Sequence, residues 1–382
     1  MRFVIIGTAY PLRGGIAQYV GLLYKSLLEN GHKVKILTFS RQYPKILFPG
    51  KSQQEEGEPG VQIESELVID SINPLTWYRT AKLAADFEPD AVIFKFWLPF
   101  FAPAYGVIAR QITKRLKRKG KQTKIVYIAD NVIPHEKRPG DMQLISYAFK
   151  SVDRFIVQSS AVEKDLKQVK PDAKYIRLEH PVFESFPPAI LQAEAREQLQ
   201  IPETADVLLY FGFIRKYKGI DIAIQAIAEV AKKRPEILLI VAGEAYSGEA
   251  DYKQMAKDLG VLDKNVIFCD RYISNDDVPI FFSAANASLL PYRSATQSGV
   301  VQISYHYNLP VIATNVGGLP EIVVDGVSGL IAPEATPQSV AKAIERYFDM
   351  DMEAGLRDGV RSEKKKYSWK TFVEGIERLV RS

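Results

Sequence analysis

At 382 residues the chain is longer than the ~250–300 that a single hydrophobic core usually serves, which predicts two domains. A content of 47% hydrophobic and 25% charged residues excludes a disordered chain, a collagen-like chain and a small stapled scaffold. One cysteine, Cys269, excludes an internal disulfide, and the four histidines (His32, His135, His180, His306) lack ligand spacing, which argues against metal-centred chemistry. No apolar run approaches the ~20 residues of a membrane helix, and Met1–Gly7 reads as a buried strand rather than a secretory signal. A reducing cytoplasm is the expected location. The net charge of +5 is uneven: residues 1–190 hold 28 Lys/Arg against 19 Asp/Glu, and residues 191–382 hold 22 against 26. Eight of the fifteen residues in Arg110–Lys124 are basic and none is acidic. This argues against a nucleic-acid binder and fits either an anionic partner, such as a lipid surface, or a solvated helix face.

In chain order, strands are expected at Phe3–Gly7, Lys33–Phe39, Val61–Glu64, Ala91–Phe96, Lys124–Ala129 and Arg154–Gln158. Amphipathic segments alternate with them, such as Ile16–Asn30 with its stop at Gly31. Ser40–Gly60 is polar and reads as a long mobile loop. The pattern restarts with Asp206–Gly212, the helix Ile220–Lys233, and strands at Glu236–Val241, Asn265–Asp270, Ala287–Pro291 and Val311–Thr314. Continuous apolar strands imply parallel sheets covered on both faces. Ser368–Ser382 predicts a capped terminal helix. In such folds ligands bind outside the carboxyl ends of the strands.

The loops at those ends carry the chemistry. After the first strand, Gly14-Gly15 opens a helix whose N-terminus favours an anion, but the Gly-x-Gly-x-x-Gly spacing of a dinucleotide site is missing. Arg215 and Lys218 follow Gly212 directly and are placed to neutralise a diphosphate. Val241-Ala-Gly243-Glu244 repeats the strand–glycine pattern. At Pro291–Val301 the amides of Gln297, Ser298 and Gly299 can cradle phosphate oxygens. Lys95–Pro103 carries four aromatics and two prolines, and reads either as core or as an acceptor platform. Asp349-Met-Asp351 is a chance match to a metal motif.

These motifs resemble those of family 4 retaining glycosyltransferases of the GT-B fold, over nearly the whole chain. The resemblance is carried by Gly212…Lys218-Gly219, Pro291-Tyr292 and Leu309-Pro-Val-Ile-Ala-Thr-Asn-Val-Gly-Gly-Leu-Pro-Glu321. It implies an α/β fold of two Rossmann-like, doubly wound parallel-sheet domains facing a cleft. Residues 1–190 would bind the acceptor and 191–367 the nucleotide-sugar donor, with 368–382 a helix crossing back. It implies no metal and no cofactor, a glycan or lipid-linked acceptor, and no nucleic acid, with peripheral contact to an anionic membrane expected from the basic run. The expected donor-binding residues are Gly14, Gly15, Gly212, Arg215, Lys218, Gly243, Glu244, Tyr272, Gln297, Ser298, Gly299 and Val300. The expected catalytic residues are Asp130, Asn131 and His135. The sequence also departs from the family: its paired acids fall on Ala295 and Ile303, and its strand-end arginine on Phe213, with Arg215 on the same strand face two residues on. An epimerase of the same fold, and a binding protein without turnover, remain open at this point.

Overall fold

The computed structural model describes residues 1–44, 52–55, 60–134, 138–245 and 249–382. The chain divides into two compact units, one of residues 1–181 with 367–382, the other of residues 182–366. The first unit holds β1 (Arg2–Ile6), β2 (Lys33–Arg41), β3 (Ser65–Asp70), β4 (Ala91–Phe96), β5 (Lys124–Ala129), β6 (Arg154–Val157) and β7 (Tyr175–Arg177). They pair in the order β3-β2-β1-β4-β5-β6-β7, every pair parallel. The second unit holds β8 (Asp206–Phe211), β9 (Ile237–Ala242), β10 (Val266–Cys269), β11 (Ala287–Leu290), β12 (Val311–Thr314) and β13 (Gly329–Ala332). Their order is β10-β9-β8-β11-β12-β13, again parallel throughout.

Both sheets are doubly wound, and the strand order reverses between β1 and β4 in one and between β8 and β11 in the other. At such a reversal the flanking loops diverge to opposite faces and leave a crevice at the carboxyl ends. The central strands explain the parallel order: β4 and β9 are buried at every residue, as only a sheet covered on both faces allows. Helices on both sides supply that cover, and each unit has its own apolar core.

Some sequence expectations need correction. The strand expected at Val61–Glu64 lies at Ser65–Asp70, an edge strand with exposed Glu66 and Leu67, so no apolar run marks it. Ser40 and Arg41, expected in a loop, belong to β2; residues 45–51 and 56–59 of that stretch lie outside the described residues. The units divide after Pro181 rather than near residue 190. Residues 182–190 join the second unit through the Tyr307 hydroxyl, which donates to the Pro187 carbonyl (2.8 Å), and through the Ile190 N–H, which donates to Ser283 Oγ (3.1 Å). The aromatic run Lys95–Pro103 is largely core, with Phe96 and Phe101 fully buried and Trp97 and Phe100 half-buried against them.

The helix Trp369–Arg381 belongs to the first unit. Ser368 caps it by accepting from the Thr371 N–H (3.2 Å). Its apolar face meets the helix Gly15–Glu29: the Trp369 and Phe372 rings stand edge-on to Tyr19 at 5.1 and 6.1 Å. Gly375 admits Leu178, whose methyls would lie 2.6 Å from an added Cβ. Trp369→Ala should therefore cost about 3–5 kcal/mol of stability, as for other buried tryptophans, whereas Leu75→Ala, on an exposed side chain, should cost under about 0.5. Calorimetric melting of the two variants checks this. Equal melting points would contradict the docking of this helix.

Candidate functional site

In the second unit the site is built from backbone outward. β8 ends at Phe211, and Gly212 follows with φ +89°, a conformation open to glycine and strained for most other residues. The chain then passes Arg215 into a single 3-10 turn, Lys216–Lys218, closed by Gly219 at φ +68°. A Cβ on Gly219 would lie 2.0 Å from the Pro291 carbonyl oxygen, and one on Gly243 would lie 2.4 Å from that of Gly212. Three strand-end loops are thus packed backbone to backbone, and side chains larger than hydrogen would push them apart.

That packing folds Lys218 back over the strand end, where a Cβ on Gly212 would be 3.3 Å from its Nζ. The ammonium also faces the Tyr292 ring, 5.8 Å from its centroid. Burial first, then the Arg215 charge, push Lys218 down to about 8. A desolvated ammonium beside a second cation favours an anion, because a bound negative charge relieves both the desolvation and the mutual repulsion. The loop after β11 is fastened to this turn. Arg293 grips Asp221 through both terminal nitrogens (2.7 and 2.5 Å), and its N–H donates to the Tyr217 carbonyl (2.7 Å). Burial, the largest single effect, would raise the Asp221 carboxyl, but the Arg293 hydrogen bonds and charge together with backbone N–H donors hold it below the ordinary value.

Ser298 stands at the start of the helix Gly299–His306 and hydrogen-bonds the Tyr292 phenol. Its side chain does not cap that helix, which leaves the first amides without a side-chain partner from the N-cap. Gln297, Gly299 and Val300 are half-buried around it. A Cβ on Gly317, in the loop after β12, would fall 1.5 Å from the Ala295 carbonyl oxygen, which explains the Gly-Gly of the 309–321 motif. Ala295 and Ile303, the positions of the absent acids, are buried apolar side chains.

Of the expected donor-binding residues in this unit, the structure brings Gly212, Arg215, Lys218, Gly243 and Ser298 together at the carboxyl ends of β8, β9 and β11. Glu244 is half-buried in the same row, its carbonyl accepting from the Ile214 N–H (2.9 Å). Tyr272 follows the edge strand β10, two strands from Lys218. Tyr292 and the Arg293–Asp221 clamp were not foreseen as site components; the charged pair is separated by 72 residues and has no local spacing to betray it.

In the first unit, Gly14 (φ +101°) and Gly15 open the helix Gly15–Glu29 without a side-chain cap, and a Cβ on Gly14 would meet nothing within 4 Å. Asp130, at the end of β5, is buried and paired with Lys95 (2.5 Å); Asn131 beside it is half-buried. His135 lies outside the described residues. Asp349 is taken up by Arg234 (2.8 Å), and among the described residues no cluster of His, Cys, Asp and Glu could hold a metal ion. Among them, too, no helix is long and apolar enough to cross a membrane.

Comparison with known proteins gives the family and the fold. Residues 192–367 match the model of the family described as glycosyl transferases group 1. A D-inositol 3-phosphate glycosyltransferase of Acidothermus cellulolyticus is 28% identical over 390 aligned positions, covering 95% of this chain and 84% of the relative. Sucrose-phosphate synthase (tll1590) from Thermosynechococcus elongatus superposes with a TM-score of 0.74 at 18% identity, covering 100% of this chain and 98% of its own. Anabaena Alr3699/HepE, solved in complex with UDP-glucose, gives 0.71 at 17% identity, with 98% of each chain covered. The fold is GT-B. The chain carries a glycosyl transferases group 1 domain and is a glycosyltransferase.

The charge state of Lys218 sets a pH dependence for anion binding. Only the ammonium form attracts an anion, so affinity for inorganic pyrophosphate should fall as pH rises through about 8. A Lys218→Met chain should lack this step, and the difference between the two chains cancels the ligand's own ionisation. Titration calorimetry reads both. Parallel pH profiles would remove Lys218 from the anion site.

Proposed function

We propose that the chain transfers a hexose-type sugar from a nucleoside diphosphate sugar to a glycan or lipid-linked acceptor, with retention at the anomeric carbon and without a metal ion. The observation that carries this reading is the Lys218 ammonium, disfavoured by burial and by the Arg215 charge, beside a helix N-terminus at Ser298 that no side chain caps. Side-chain cations and amide dipoles there match the charge of a diphosphate leaving group, a role that a bound metal fills in other transferases. The UDP-glucose complex of the Anabaena neighbour makes that sugar nucleotide the first donor to assay.

Retention follows from front-face attack. The acceptor oxygen bonds to the anomeric carbon as the bond from that carbon to the diphosphate oxygen breaks. The departing phosphate takes the acceptor's proton, so no protein nucleophile is required. Lys218, Arg215 and the amides at Gln297–Gly299 stabilise charge that grows as the bond breaks, and such donors accelerate the chemical step as well as binding. Asp130 and Asn131 set the reacting sugar. Lys218→Ala should then lower kcat/KM by about 2–4 kcal/mol with kcat itself reduced. Arg215→Ala should act alike, and the double variant should lose less than the sum. Wild-type transfer should persist in excess EDTA. Near-normal kcat/KM in Lys218→Ala, or loss of activity in EDTA restored by Mg²⁺ or Mn²⁺, would contradict the mechanism.

A lipid-linked acceptor is supported by the basic helix Ala102–Arg118 and its extension. Part of the charge is neutralised locally: Lys119 pairs with Asp86 (3.3 Å), Lys121 with Glu88, and Arg110 lies over the Tyr147 ring (4.1 Å). Lys114, Lys117 and Arg118 remain exposed on the same helix. Each contributes about 1 kcal/mol near an anionic surface. In vesicle sedimentation at low salt the chain should bind phosphatidylglycerol-containing but not phosphatidylcholine vesicles, and Lys114→Glu/Lys117→Glu/Arg118→Glu should abolish binding. Equal partition to both compositions would leave this face as ordinary solvated surface.

A further inference from the structure

β4 is the most apolar strand of the first sheet apart from one residue. Lys95 is 2% exposed, and no neighbour on its own strand is polar. Its ammonium reaches three other elements. It donates to Asp130 Oδ1 at the end of β5 (2.5 Å) and to Gln158 Oε1 after β6 (3.4 Å), and it lies 3.4 Å from the centre of the Tyr19 ring on the helix Gly15–Glu29. Gln158 in turn donates to the Tyr19 hydroxyl (3.2 Å), and the His180 ring stands edge-on to Tyr19 at 4.9 Å. Gly7, at the end of β1, leaves room for the lysine stem, since a Cβ there would lie 3.1 Å from Lys95 Cβ. Next to it Thr8 has a buried hydroxyl without a hydrogen-bond partner.

Stability does not account for this arrangement. A buried ion pair is commonly matched or bettered by apolar residues of the same volume, whereas one partner alone is strongly unfavourable. The network stands at the carboxyl ends of β4, β5 and β6, beside the reversal between β1 and β4, where ligands of doubly wound sheets bind. We propose that Lys95 is a positioning residue for sugar transfer: it holds Asp130 as a fixed carboxylate that accepts hydrogen bonds from the hydroxyls of a sugar. This rests on the reading above, in which Asp130 meets the reacting sugar. Among the described residues, Tyr19 from its helix and His180 from the segment after β7 are titratable groups that face the pair. Burial raises the Tyr19 phenol well above its ordinary value, and burial followed by the Lys95 charge lowers His180 to about 3, so both are neutral at working pH. Lys95 therefore supplies a positive charge within hydrogen-bond reach of Asp130.

Removing the ammonium leaves a buried carboxylate that favours its protonated form, and protonation turns one accepting site of Asp130 into a donor. The test compares wild type, Lys95→Met, Asp130→Asn and the double variant as full chains. The carboxyl ¹³C shift of Asp130, assigned by its loss in Asp130→Asn, is followed against pH beside kcat and KM for UDP-glucose turnover. In Lys95→Met the Asp130 midpoint should rise above its wild-type value. kcat should fall at least about tenfold, most at the acid end, while donor KM changes less than about twofold. The new acid limb should vanish when Asp130→Asn is added. Lys95→Gln gives the same readouts if Lys95→Met does not melt cooperatively. An unchanged Asp130 midpoint, or kcat–pH curves parallel to wild type, would overturn the proposal. Absence of wild-type turnover with every nucleotide sugar would instead overturn the functional reading, and the carboxyl titration would then decide the Lys95–Asp130 linkage by itself.

Discussion

The second unit is organised around an ammonium group withdrawn from water beside a guanidinium. Lys218 next to Arg215 is unfavourable in isolation, because burial and repulsion both oppose its charge. The surrounding chain gives it nowhere else to go. Gly212 and Gly219 hold backbone conformations that carry the turn back over the end of β8, and Gly219 and Gly243 let neighbouring loops approach to contact distance. The Arg293–Asp221 clamp then fixes the loop after β11 against that turn. An anion-shaped demand is thus built into the fold before any anion arrives, and preorganisation of this kind is what makes a polar site effective in stabilising developing charge.

The first unit meets the same physical problem with a different solution. Lys95 is fully internal, and its charge is answered inside the protein by Asp130, Gln158 and the face of Tyr19. Lys95 has its counter-ion within the protein, whereas burial and the Arg215 charge both oppose the Lys218 ammonium. In the proposed reaction Lys218 would supply charge to the leaving group and Lys95 would govern the charge and orientation of a carboxylate. The doubly wound sheet accounts for both locations, since each lies next to a reversal in strand order.

What could be read from the sequence follows from how local the cause is. β4, β5 and β12 match their expected ranges to the residue because unbroken apolar runs mark strands buried on both faces. β3 is displaced by four residues from its expected start, and β7 and β13 carry no expectation at all: each is a short strand at a sheet edge, where burial does not write a pattern. The strand-end glycines and the Arg215–Lys218 loop were legible because turn geometry and charge sit within a few residues. The Lys95–Asp130 pair, 35 residues apart, and the Arg293–Asp221 clamp were not, since tertiary pairing leaves no spacing in the chain. A lone lysine inside Ala-Val-Ile-Phe-Lys-Phe was the one visible sign of the former.

The most direct measurement is the ¹³Cε/¹⁵Nζ NMR titration of Lys218, assigned by Lys218→Met, in the free chain and with saturating UDP. The free ammonium should titrate at about 8, and UDP should move its midpoint upward, because the diphosphate supplies a counter-charge. A free midpoint near the ordinary lysine value of 10.5, or one that UDP leaves unmoved, would contradict a desolvated cation held ready for the diphosphate.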